Sequence, residues 1–235
     1  MKNSKSKKLI IILLGPPGSG KGTQAGLLAE KLDLYYLETS KLLEEAFNKS
    51  KKGGFIKISG QKYFFSQEKN LWKKGILCTP SFVSYLIKRK IKELNEKKES
   101  LVIAGSPRTL YEGKAIMPLL ERLYSKKNIK VILIQVSAEE SIFRNSHRRI
   151  CELMRHPILY SPETKKLKFC PLDGSKLIRR KGLDDPQTIK IRLKEYRERT
   201  LPLVEYLEER GLKVKKINGQ GSVSKIFERI LKALK

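Results

Sequence analysis

Residues Gly15-Pro16-Pro17-Gly18-Ser19-Gly20-Lys21-Gly22-Thr23 follow directly on the apolar run Leu9 to Leu14, and a helical pattern from Gly22 to Leu32 follows them. The string fits the spacing G-x-x-x-x-G-K, with Gly22 at the usual [ST] position and the hydroxyl one residue later at Thr23, and each fixed position has a mechanical reason. The glycines let backbone N–H groups approach and surround phosphate oxygens. The helix N-terminus behind them adds partial positive charge, Lys21 reaches the terminal phosphates, and Thr23 can ligate magnesium. An ordinary glycine turn needs neither the lysine nor the strand–loop–helix setting. The stretch reads as a nucleotide-phosphate cradle at the carboxyl end of a first strand.

Outward from that loop the chain alternates. Short apolar, β-branched runs at Leu9 to Leu14, Leu101 to Ala104, Val131 to Val136 and Lys213 to Ile217 read as buried parallel strands, with Leu34 to Leu37 a weaker fifth. Helical patterns cover Gly22 to Leu32, Ser40 to Asn48, Ser81 to Asn95, Leu110 to Tyr124, Ala138 to Ile150, Pro186 to Arg210 and Ser222 to Leu234. This rhythm predicts a doubly wound α/β sheet with ligands at the carboxyl ends of its strands. Two segments break it: the Gly- and Lys-rich Lys51 to Ser59, and Cys151 to Leu183 with its prolines and two cysteines. Both are expected as insertions over a binding face.

The chain has 235 residues, enough for a single domain with insertions. Its 51 Lys plus Arg against 24 Asp plus Glu give a formal charge of +27, which suits a polyanionic substrate, nucleic acid, or simply a lysine-rich solvated surface. The lysines are scattered among glutamates, as on solvated helix faces, so nucleic acid is not expected as a partner. Cys78, Cys151 and Cys170 make no disulfide framework and fit a reducing compartment. The basic start, Met1 to Lys8, resembles the opening of a signal peptide, but the apolar run behind it is too short and enters a glycine loop. No run reaches the ~20 apolar residues of a membrane span, and a cytoplasmic monomer is expected.

The longer string Gly15 to Gln24, GPPGSGKGTQ, resembles the adenylate kinase and nucleoside monophosphate kinase family, and the likeness continues over nearly the whole chain. It implies a P-loop nucleoside monophosphate kinase fold: a parallel five-stranded core, an acceptor-binding insertion and a lid that closes over ATP. On that basis residues 1–235 are one domain, with a core of 1–39, 96–150 and 184–235, an insertion of about 40–95 and a lid of about 151–183. Tyr36-Leu-Glu-Thr39 resembles the entry to the monophosphate site, and Gly75-Ile-Leu-Cys78-Thr79-Pro80 the loop whose backbone touches the acceptor base. Gly105-Ser-Pro-Arg108-Thr resembles the family's D-G-F-P-R-T segment, in which Arg108 would hold the acceptor phosphate with a bidentate fork.

The resemblance also implies donor-side roles. Arg144 would stack on adenine and Arg148 meet phosphate, Arg180 and Arg192 would complete the phosphate clamp, and the loop around Gly221 would pass the ATP adenine. Lys21, Arg108, Arg148, Arg180 and Arg192 form the expected catalytic set. Positioning and charge neutralisation are expected to carry most of the catalysis, with magnesium (Mg2+) travelling with ATP.

The chain departs from the family pattern at several positions. Ala104 stands where an aspartate supports magnesium-bound water, and Ser106 where a phenylalanine stands. The motif Thr-Gly-Asp-x-x-Arg becomes Thr39-Ser40-Lys41-Leu-Leu-Glu44, so an acceptor-phosphate arginine has become glutamate. Lys41 and Glu44 are helix neighbours; either the pair has swapped polarity and Lys41 faces the phosphate, or both are surface charges. Glu112 replaces a base-reading glutamine, and a carboxylate cannot donate as an amide does. Cys151-x-x-Met154 and Cys170-x-x-Asp173 resemble a zinc-bearing lid with one thiolate replaced. A packed, metal-free lid is expected, with zinc as the alternative if His156 substitutes.

These readings lead to a kinase moving phosphate from ATP to a nucleoside monophosphate, AMP first. The alternative is a catalytically weakened ATP sensor or RNA-docking protein on the same fold.

Overall fold

Ile10–Leu14 contains no polar side chain, and all five residues are buried on both faces. Such a strand is stable only in the middle of a sheet covered on both sides. The computed structural model, which describes residues 8–180, 182 and 184–235, has that architecture. Residues 1–7 of the basic start, and Leu183 at the expected end of the lid, lie outside the described residues.

In chain order the elements are β1 (Ile10–Leu14), α1 (Lys21–Leu32), β2 (Tyr35–Glu38), α2 (Thr39–Lys49), β3 (Phe55–Ile58), β4 (Gln61–Phe64), α3 (Phe65–Lys73), α4 (Pro80–Glu96), β5 (Leu101–Ala104), α5 (Leu110–Tyr124), β6 (Ile129–Gln135), α6 (Ala138–His147), β7 (Arg149–Cys151), β8 (Pro157–Ile158), β9 (Leu177–Ile178), α7 (Pro186–Glu195), α8 (Leu201–Glu209), β10 (Val214–Asn218) and α9 (Val223–Leu234). The main sheet runs β10-β6-β1-β5-β2, all parallel, with Ile12 registered between Ile103 and Val131. Alternation along β1 divides the interior. Ile10, Ile12 and Leu14 join the core that includes Phe82, Ile87, Met117 and Leu203, while Ile11 and Leu13 face Ala25, Leu28, Ile226 and Ile230. The chain leaves β1 in one direction across the sheet and later returns in the other. A crevice therefore opens at the carboxyl end of β1, where the phosphate loop begins.

All five expected strands are present, within two residues at each end. The expected insertion at Lys51 to Ser59 has structure of its own: Phe55–Ile58 and Gln61–Phe64 pair as an antiparallel hairpin, turned by Ser59 and Gly60 at φ 48° and 87°, and α3 follows. Two expected helices need correction. The helix expected to run from Ala138 to Ile150 stops at His147, because Arg149–Cys151 pairs with both β8 and β9 in a small three-stranded sheet. The long helix from Pro186 is interrupted: Tyr196–Thr200 forms one wide π-helical turn between α7 and α8. Cys151, Ile158 and Cys170 give the small sheet its own core. Among the described residues no helix is long and apolar enough to cross a membrane.

Candidate active site

The phosphate loop is held at close quarters. A side chain at Gly15, φ 145°, would put a carbon 2.4 Å from the Ile134 carbonyl oxygen of β6. Gly18 presses on Asn145 of α6, and Ser141 of the same helix donates to the Pro17 carbonyl at 2.5 Å. Gly20, at φ 90°, is the N-cap of α1. Only glycine meets these demands cheaply. Ser19 is buried beneath the loop, and Gly22 and Thr23 open α1. Lys21 Nζ donates to the carbonyls of Gly15 and Pro16, both at 2.7 Å, and to Ser19 Oγ at 3.3 Å. Burial, with Arg108 and Arg192 close by, holds its pKa well below that of an ordinary lysine.

Facing this loop is a cleft lined by Gly15, Lys21, Thr39, Cys78, Gly105, Arg108, Glu112, Arg180 and Arg192. Four cations thus come from four separate segments of the chain. Gly105, φ 99°, leaves room for Arg108 Nη2, which would otherwise sit 2.8 Å from a Cβ. Glu112 fixes the loop that carries Arg108: its Oε2 accepts from Ser106 Oγ at 3.0 Å and from Arg108 N at 2.9 Å. Thr109 caps α5 by accepting from Glu112 N at 3.1 Å. Burial raises the Glu112 pKa, although Arg108 works against it. Burial lowers Arg108, and burial together with Arg180 and Arg108 brings Arg192 down to about 9. The Cys78 thiol, pushed up to about 12 chiefly by burial, is unreactive at neutral pH.

Arg180 and Arg148 converge on Asp184. Arg180 donates to it through Nε at 3.0 Å and Nη2 at 2.7 Å, and Arg148 Nη2 donates at 2.5 Å. The Asp184 side chain is only 2% exposed, so this charge-assisted fork fixes both guanidiniums at the root of the small sheet. Asp184 did not stand out in the sequence as a site residue, although its position between Arg180 and Arg192 was visible. Glu195, Tyr196, Thr200 and Trp72 also line the cleft and were not anticipated. Glu195 accepts from Leu77 N at 3.2 Å, and Thr200 Oγ1 donates to Arg108 O at 2.7 Å. These two bonds join the α7–α8 region to the Leu77 backbone and to the loop that carries Arg108.

Other expected residues lie elsewhere. Arg144 is paired with Glu140 at 2.5 Å, outside the cleft lining. Gly221, φ 105°, belongs to an exposed loop that Arg229 braces through the carbonyls of Asn218 and Gln220. Lys41 and Glu44 part company. Lys41 is paired with Glu38 at 3.7 Å on an exposed surface outside the cleft lining, and Glu44 is paired with Arg155 at 3.3 Å. The expected Lys41–Glu44 partnership is therefore replaced by two others.

The donors present suit two metals differently. For magnesium the chain offers the Thr23 hydroxyl in the first turn of α1 and, at position 104, only a buried alanine. That fits an ion that keeps most of its shell as water and phosphate oxygen. In the small sheet, the ligand atoms of Cys151, His156, Cys170 and Asp173 all lie within 4.8 Å of one another. Cys151 Sγ to His156 Nδ1 is 3.5 Å, Cys170 Sγ to the same nitrogen 3.7 Å, and His156 Nδ1 to Asp173 Oδ2 3.2 Å. Those are close to the edges, about 3.3–3.8 Å, of a tetrahedron with Zn–N and Zn–S bond lengths. The donor set fits zinc, with His156 standing in where Met154 is 61% exposed and turned away.

A phosphate loop at the switch point of a parallel sheet, opposed by cations from several segments, defines a nucleotide phosphotransferase of the nucleoside monophosphate kinase class. The sequence model described as Adenylate kinase matches residues 13–212. The chain is 34% identical to the adenylate kinase of Methanothrix thermoacetophila over 226 residues, which cover 95% of this chain and 97% of that protein. It is 31% identical to that of Caldicellulosiruptor saccharolyticus, covering 95% and 98%, and 31% identical to that of Mycoplasma mycoides subsp. mycoides, covering 96% and 99%. The chain belongs to the adenylate kinase family.

Proposed function

We propose that this chain moves the terminal phosphoryl group of ATP onto AMP, giving two ADP. The observation that carries the reading is the convergence of Lys21, Arg108, Arg180 and Arg192 on one cleft beside the phosphate loop. Burial first, and mutual repulsion second, pull Lys21, Arg108 and Arg192 below their ordinary pKa, so anions between them supply counter-charge that the buried cations lack. In this reading Gly15 to Gly22 cradle the ATP phosphates and Lys21 neutralises the group in flight. Arg108, beside Thr39 and Gly105, holds the acceptor phosphate. Arg192, with Arg148 and Arg180 steadied by Asp184, neutralises charge as it passes between two anions. Arg144 and Gly221 border the ATP base. Lys41 is left out of this reading, since it pairs with Glu38 and stands outside the cleft lining.

AMP as acceptor draws support from the relatives that bear the name adenylate kinase, and from Glu112. Burial favours its neutral form. Its Oε2 is already taken by Ser106 Oγ and Arg108 N, so a protonated Oε1 is the group left to donate, and adenine N1 is an acceptor that matches it. Residues about 40–95 form the acceptor-binding part and about 151–183 the lid. Magnesium would be held by Thr23, ATP oxygens and water, and would neutralise phosphate charge. Zinc would be held by Cys151, His156, Cys170 and Asp173 and would staple the lid.

Diphosphate formation from ATP with AMP, CMP, UMP and GMP, each supplied separately, tests the proposal. AMP should turn over at roughly 1–100 per second. Preference for another base overturns the acceptor assignment; no turnover with any of the four would leave the ATP sensor or RNA-docking protein.

A further inference from the structure

Glu44 on α2 and Arg155 between β7 and β8 are 111 residues apart, yet Arg155 Nη2 lies 3.3 Å from Glu44 Oε1. Glu44 is one helical turn beyond Ser40, which lines the cleft together with Leu43, so the pair stands at the cleft's rim. Lys41 is a helix neighbour of Glu44 and could satisfy it locally. It pairs with Glu38 instead, and the carboxylate reaches across to the other side of the molecule.

Arg155 is presented by a braced turn. It holds a φ of 60°, a conformation that residues with a Cβ seldom adopt. Its N–H donates to Cys151 O at 3.1 Å, His156 N donates to Cys151 Sγ at 3.0 Å, and Cys151 N donates to His156 O at 3.2 Å. Three hydrogen bonds fix the backbone turn from which the Arg155 side chain departs. The two partners are thus anchored on different bodies: Glu44 on the acceptor-binding helix, Arg155 on the small sheet.

We infer that Glu44 and Arg155 form a clasp across the mouth of the cleft, tying the lid to the acceptor-binding helix and biasing the protein toward lid closure before substrates bind. Both are positioning residues, acting through the lid rather than on substrate. The inference rests on reading residues about 151–183 as a lid, but not on AMP as the acceptor. Side-chain exposures of 24% for Glu44 and 44% for Arg155 mark a partly screened pair. Its loss should shift the closed-to-open ratio by up to about fivefold, or about 1 kcal/mol, and high salt should mimic that loss.

The chain has one tryptophan, Trp72, on α3, and this supplies a donor for energy transfer. A coumarin amino acid installed at exposed Lys166 supplies the acceptor. In the full chain without nucleotide, Glu44→Gln, Arg155→Gln, Glu44→Arg and Arg155→Glu should each lower transfer efficiency. The double variant Glu44→Arg with Arg155→Glu should return to the wild-type value, and the two Gln substitutions together should do no more than either alone. Molar salt should bring wild type down to the Gln variants and leave those unchanged. In turnover the single variants should raise the acceptor KM with kcat held or increased, and the charge-reversed double should restore it. Single variants with wild-type transfer, or a charge-reversed double no better than its parents, would overturn the clasp. The transfer measurement reads the clasp even if AMP proves to be the wrong acceptor, so the two failures are separable. The neutral Gln variants keep the question answerable should a charge reversal fail to fold.

Discussion

Replacing Arg192 by methionine should make the protein more stable and almost inactive. The guanidinium is brought down from 12.5 to about 9 by burial and by Arg180 and Arg108. At about 1.4 kcal/mol per tenfold, keeping it charged at neutral pH costs the folded state up to about 5 kcal/mol. Asp184 offsets part of this cost, and relaxation and water penetration reduce such figures further, so about 1–3 kcal/mol should be recovered. Methionine keeps the unbranched stem, whose Cγ approaches Gly75 to within 3.2 Å of where a Cβ would be built there. It also lifts the repulsion that Arg192 exerts on Lys21. For a chain of this length the melting temperature should rise by about 3–10 °C, while kcat/KM falls by about 10² or more. The folded state holds this proton less tightly than the unfolded chain. Wild-type stability from this group therefore begins to rise as pH passes about 9 and goes on rising toward 12.5, and Arg192→Met should lose that part of the slope. Thermal melts across this pH range, with and without a bisubstrate analogue bearing two adenosines, measure both effects. The analogue should stabilise wild type far more than the variant. An Arg192→Met protein that melts below wild type would refute the idea that the cation set is held under repulsion.

Lys21→Ala should abolish phosphoryl transfer while circular dichroism and the melting temperature stay near wild type, since its three hydrogen bonds serve only the loop. With AMP as acceptor, KM should climb as pH rises through the elevated Glu112 pKa, because the ionised carboxylate loses its donor; Glu112→Gln should flatten that profile, and an unchanged profile would remove Glu112 from base reading. Elemental analysis of the purified chain should find about one zinc per molecule, falling to near zero in Cys151→Ser. His156→Ala should do the same, and full retention there would exclude the imidazole as a ligand.

The core was legible because strands such as Leu101–Ala104 are apolar throughout, and because the glycines of the phosphate loop leave few alternatives. The hairpin at residues 55–64 was harder to read. Phe55 is 43% exposed and lysines alternate with its apolar residues, so it looked like a solvated insertion although Ser59-Gly60 is a two-residue turn signal. The α6 pattern continued past His147 because helical periodicity says nothing of a partner strand 28 residues away: Ile150 pairs with Ile178. For the site, Arg108 and Lys21 were readable from local spacing. The partner of Glu44 was not, since Arg155 is brought to it by a fold that joins distant segments, whereas His156 was readable beside Cys151, Cys170 and Asp173 as an alternative ligand.

The wide turn at Tyr196–Thr200 sets a phase between two helices with different obligations. Upstream, α7 must point Arg192 and Glu195 at the cleft; downstream, α8 must keep Leu203, Val204 and Leu207 in the interior. Removing a single residue here would turn one helix relative to the other by about 100°, the angular step of an α-helix. Either the leucines would face water or the cleft would lose its arginine. A stretch that looks like continuous helix is thus less tolerant of a one-residue deletion than the surface loops. Its length, more than its composition, is what selection must preserve.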